Sequence, residues 1–106
     1  MGLAEPKIGL EPEDELATAF PGRVITHKLR VRSCDQLTVA MAALAEIEAL
    51  GGRLEDLHVS RTLGGTLTHD LNMTGLSARE ARMIADRLAA VDGVEDARVE
   101  HHLVRV

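Results

Sequence analysis

The chain has 106 residues, one cysteine and a formal net charge of −5. That length is one domain's worth and can bury roughly two-thirds of its unfolded surface without staples, while the lone Cys34 excludes an internal disulfide framework and fits a reducing, cytoplasmic setting. A single aromatic (Phe20) and no basic cluster exclude the usual nucleic-acid surface, and no run approaches the ~20 apolar residues of a membrane span or the pattern of a signal peptide, so a soluble protein is expected.

Charge is uneven along the chain. Residues 1–22 hold Glu5, Glu11, Glu13, Asp14 and Glu15 against Lys7, a balance of −4. Punctuated by Pro6, Pro12 and Pro21, they read as an acidic N-terminal tail. Within it, residues 12–20 carry a proline near a first turn and acids at the N-terminal end. Leu16 and Phe20, four apart, would share a face there. The domain proper is expected over 23–106.

From Val24 to Ser33 the side chains alternate, with Ile25, His27, Leu29 and Val31 on one face and Thr26, Lys28, Arg30 and Arg32 on the other. That is a half-buried strand. Asp35 to Gly52 then reads as an amphipathic helix whose buried face is expected to be Leu37, Ala40, Met41, Leu44 and Ile47, with Ala43 and Leu50 less central. Asp35 suits the cap and Gly51 the stop.

A second strand is expected over about Arg53 to Thr62, irregular at Glu55-Asp56, then a turn at Gly64-Gly65 and a third strand over Thr66 to Met73. Ser77-Ala-Arg-Glu80 is a capping box. The helix behind it buries Ala81, Ile84, Ala85, Leu88 and Val91 and stops at Asp92-Gly93, and a last strand follows from Val94 to about Val106.

Strand, helix, strand, strand, helix, strand predicts an α+β, ferredoxin-like βαββαβ fold with both helices on one face of an antiparallel sheet. The right-handed crossover rule selects the order 4-1-3-2. Open sheet edges invite pairing with a second copy, so a homodimer is expected.

From about Thr26 to Val106 the chain resembles the ACT domain, the βαββαβ module of regulators of amino-acid metabolism. The resemblance is carried by Leu29-Arg-Val-Arg with the Asp35 segment, by Gly51-Gly-Arg-Leu-Glu-Asp-Leu-His-Val59, and by Leu88-Ala-Ala-Val-Asp-Gly-Val94. The second of these is particularly similar to the corresponding stretch in small regulatory subunits of acetohydroxyacid synthase. A weaker resemblance links the basic first strand to ACT-like domains at the C-terminal end of MgtC-type membrane proteins. Those need membrane helices ahead of the domain, and no such run occurs in this sequence.

The ACT resemblance implies an amino acid bound across a subunit interface by the segment between first strand and first helix, where the family pattern is Asp-x-Pro-Gly-x-Leu. Here Asp35, Gln36, Leu37 and Thr38 occupy its first four positions, with Leu37 in place of Pro and Thr38 in place of Gly. Asp35 would anchor a ligand's ammonium group, with Gln36 and Thr38 offering hydrogen bonds; its plain alternative is a helix cap.

Three functions compete. The first is a non-enzymatic regulatory module that binds an amino acid at a homodimer interface and signals to a partner enzyme. The second is an effector-less dimerisation or protein-interaction domain. The third is a metal sensor built on His27, His69 and His101, which share the inward phase of three strands. No catalytic set surrounds Cys34, no cofactor motif occurs, and no enzyme activity is expected.

Overall fold

The alternation over 23–33 forms strand β1 (Arg23–Ser33), the centre of a four-stranded antiparallel sheet in a computed structural model that describes residues 23–34 and 38–105. In chain order follow α1 (Thr38–Ala49), β2 (Arg53–Arg61), β3 (Leu67–Thr74), α2 (Ala78–Ala89) and β4 (Val94–Arg105). The sheet order is β2-β3-β1-β4, the expected 4-1-3-2. Residues 1–22, including the expected 12–20 segment, and residues 35–37 lie outside the described part. No described helix is long and apolar enough to cross a membrane.

Register is set by long pairings: Leu29 lies opposite Leu71 on β3 and Val99 on β4. The irregularity expected at Glu55-Asp56 is a register shift between Leu54 and Asp56 against β3. At the hairpin tip, Thr62 N–H donates to Thr66 C=O (2.8 Å) and Gly65 N–H to Thr62 C=O (3.0 Å). Helix α2 starts on the capping box as read: Ser77 Oγ accepts from Glu80 N–H at 3.0 Å, and the Glu80 carboxylate accepts from Ser77 N–H at 2.9 Å.

The core joins Leu29, Val31, Leu71 and Met73 of the sheet to Val39, Ala43 and Ile47 of α1 and to Ala81, Ile84, Ala85 and Leu88 of α2. This corrects the expected face of α1. Met41 stays 67% exposed and Leu44 38%, while Val39, Ala43 and Ile47 are buried. The helix is apolar around most of its circumference, so periodicity does not select a side. Rotation is decided by packing, which puts small Ala43 into the core with the equally small Ala81 and Ala85 of α2.

Gly51, with φ +79°, ends α1: its N–H donates to Glu48 C=O (3.0 Å) and Gly52 N–H to Ile47 C=O (2.9 Å). Gly52 is required for a different reason. A Cβ there would stand 2.6 Å from Cγ of the buried Leu76. Gly52→Ala is therefore expected to lose about 1–3 kcal/mol by overpacking, read from urea midpoints. Gly64→Ala, where a Cβ meets nothing within 4 Å, should stay within about 1 kcal/mol of wild type. Equal behaviour of the two variants would refute the steric account.

Candidate functional site

Strand β1 ends at a fixed point ahead of the segment that leads into α1. Ser33 is buried at the end of β1, and Cys34 N–H donates to Gly93 C=O (3.0 Å) at the turn into β4. Thr38 opens α1 and is exposed; Asp35, Gln36 and Leu37 lie outside the described residues. The segment thus leads from the sheet's central strand directly into the helix whose Met41 and Leu44 face outward.

Helix α1 packs on the β2 side of the sheet and α2 on the β1–β4 side. Among the described residues strand β2 pairs only with β3, so its far edge presents backbone N–H and C=O groups with no ladder partner there. Leu57 and Val59 on β2 lie in the same phase as the inward-facing Leu71 and His69 opposite them, yet remain 37% and 43% exposed. Met41 and Leu44 on α1 and Leu57 and Val59 on β2 are thus exposed apolar side chains of two elements that pack together, one of them an open edge. The sequence signal for the exposed pair on α1 was the all-round apolar character of that helix, which leaves apolar side chains outside whichever side is buried.

Beside the segment the open face of the sheet is charged. Arg32 hydrogen-bonds Asp96 (NH2–Oδ2 2.6 Å, Nε–Oδ2 3.1 Å), and Arg30 hydrogen-bonds Asp70 (Nε–Oδ1 2.8 Å). The hydrogen bonds from Arg32 hold the Asp96 carboxyl below its ordinary range against a desolvation effect that opposes them, with Arg98 adding a smaller pull. Both guanidinium groups are raised above their ordinary value by these partners. The pairs are exposed and contribute little to stability.

The inward histidines do not converge. His27 pairs across the sheet with His101 on β4, and its Nδ1 lies 2.8 Å from His101 Nδ1. His69 faces Val31, four residues along β3 from the position opposite His27, or about 13 Å away. Among the described residues no group of three or more His, Cys, Asp or Glu stands together as metal ligands would. The metal-sensor reading loses the cluster that motivated it.

What His27 and His101 form is a part-buried hydrogen-bonded pair. His27 is fully buried, and its Nε2 lies 2.7 Å from the Leu76 carbonyl. A carbonyl only accepts, so Nε2 carries the hydrogen. In the neutral ring Nδ1 of His27 is then the acceptor and Nδ1–H of His101 the donor. The rings meet edge to face, 86° apart with centroids at 5.0 Å. Cys34 is exposed.

No protein-family model and no curated protein sequence matches the chain. Solved structures do. The C-terminal domain of the MgtC protein from Mycobacterium tuberculosis superposes with a TM-score of 0.63 at 12% identity, covering 81% of this chain and 93% of that domain. The ACT domain from GTP pyrophosphokinase of Chlorobium tepidum superposes with a TM-score of 0.56 at 15% identity, covering 71% of this chain and 96% of that one. Its solution structure gives 0.56 at 14% identity over 74% and 88%. At such identities the likeness is one of fold, and the fold of this chain is that of ACT domains.

Proposed function

We propose that this chain is a non-enzymatic regulatory module that binds an amino acid where two copies meet, beside residues 35–38, and passes the bound state to a partner enzyme. The observation that carries the reading is a coincidence of position. The segment that the ACT pattern assigns to the effector precedes the helix that exposes Met41 and Leu44, and that helix packs beside the β2 edge, where Leu57 and Val59 are exposed. A second copy docked there would close over the same segment. Asp35 would meet the ligand's ammonium group, with Gln36, Leu37 and Thr38 contributing backbone and polar contacts. Kinship with the small regulatory subunits of acetohydroxyacid synthase rests on residues 51–59 and belongs to the same proposal.

A thermal-shift screen against the twenty amino acids tests it. A ligand at ~100 times its Kd that binds only the folded chain adds about 2.7 kcal/mol, which in a domain of this size raises Tm by about ten degrees or more. Asp35→Ala should abolish the shift while leaving the unliganded Tm within a few degrees. A full shift in Asp35→Ala removes that residue from the site.

One observation favours the second reading, a dimerisation domain without effector. Thr38, where the pattern has glycine, opens the helix with a branched side chain at the point of closest ligand approach. A flat screen with an intact dimer would select this reading.

A further inference from the structure

We propose that the open face of the sheet carries an anion site centred on Arg98, shaped for a phosphate-type oxyanion. Alternation along β1 puts Lys28, Arg30 and Arg32 on the face away from the helices, and the register places Glu100, Arg98 and Asp96 directly opposite them on β4. The outer two crossings join opposite charges. The middle one sets Arg30 against Arg98, and like charges directly opposite one another destabilise a sheet.

The neighbouring carboxylates relieve that contact only in part. Arg30 turns away to Asp70 on β3 at 2.8 Å, Asp96 is taken by Arg32 at 2.6 Å, and Glu100 lies 3.4 Å from His102 Nε2. Among the described residues Arg98 and Lys28 form no ion pair. A chain of net charge −5 thus gathers Lys28, Arg30, Arg32 and Arg98 on one face of two adjacent strands, two of them without a direct ion pair among the described residues.

Two shallow depressions flank Arg98, one lined by Lys28, Arg30, Arg98 and Glu100, the other by Arg30, Arg32, Asp96 and Arg98. Arg98 and Arg30 form the wall common to both. An arginine fork takes two oxygens of an anion and a lysine ammonium takes another as a point charge. A single carboxylate would meet Glu100 or Asp96 at the rim with little net gain. A phosphate dianion presents three oxygens, enough to engage Arg98, Arg30 and Lys28 at once, where a carboxylate has only two. The site lies on the face opposite the helices and is independent of the proposed amino-acid site.

The test is an NMR titration of the full chain with inorganic phosphate, chloride being exchanged to hold ionic strength constant. Saturable shifts confined to residues on β1 and β4 are expected, with Kd in the millimolar range or tighter. Arg98→Gln should weaken binding at least tenfold, whereas Arg79→Gln, an exposed arginine of α2, should not change it. Without phosphate, Arg98→Gln should melt no lower than wild type, because the like-charge contact is removed; a structural arginine would instead lower Tm. Non-saturating shifts, or equal losses in Arg98→Gln and Arg79→Gln, would overturn the site. An amino-acid response lost in Asp35→Ala but kept in Arg98→Gln leaves the two proposals separately decided.

Discussion

His27→Ala is expected to cost the folded chain about 3–4 kcal/mol, the largest loss of any single substitution considered. Two effects add. Removing a fully buried ring leaves a cavity that the surrounding strands close only in part. It also breaks the hydrogen bond to His101 and strips the buried Leu76 carbonyl of the ring donor, a cost that adds to the cavity. In a domain of this size the loss corresponds to a fall in Tm of more than about ten degrees.

His27→Leu separates the two effects. It refills most of the volume but supplies no donor, so it should retain a deficit of about 1–3 kcal/mol. His101→Ala, at a half-buried position, should cost less than His27→Ala. Urea unfolding measures all three variants, and nitrogen-15 shifts of the His27 ring should show Nε2 protonated and Nδ1 bare. A loss below about 1 kcal/mol in His27→Ala, or the opposite tautomer, would contradict the pair.

Charging the α1–β2 surface is expected to convert a dimer into a monomer. Met41→Lys combined with Val59→Lys adds cations to the exposed helix face and to the open strand, and a twofold arrangement would bring each close to its own copy. Lysine on an edge strand is also the substitution that best blocks edge-to-edge pairing. In sedimentation equilibrium the wild-type chain should weigh twice 11.4 kDa and the double variant 11.4 kDa.

Val104→Lys, on the opposite edge strand and 37% exposed, should leave the dimer intact. Its dissociation would move the contact to β4, and a monomeric wild type would refute the dimer altogether. Because Met41 and Val59 are exposed in the single chain, the double variant should keep its fold, with far-UV circular dichroism unchanged. The proposed amino-acid response, placed at that interface, should disappear with the dimer.

Local chemistry determined much of this molecule. The alternation over 24–33 and 67–73, the capping box at Ser77 and Glu80, the stop at Gly51 and the irregularity at Glu55-Asp56 each specify a conformation through neighbours only a few residues away. Once two helices and four strands stood in that order, crossover handedness left the 4-1-3-2 sheet. The segment expected to bind the effector was legible only through its likeness to the ACT pattern. Of its residues the structure describes Thr38 alone.

Tertiary structure decided three things that period and composition leave open. The rotation of α1 follows from packing against α2, which draws Val39, Ala43 and Ile47 inward and turns Met41 and Leu44 out; an evenly apolar helix carries no such instruction. The meeting of His27 with His101, and not with His69, follows from register. A period of two states which face a residue takes but not which residue stands across from it. The contact of Arg30 with Arg98 has the same origin. The two lie 68 positions apart in the chain, and only the pairing of β1 with β4 brings their charges together.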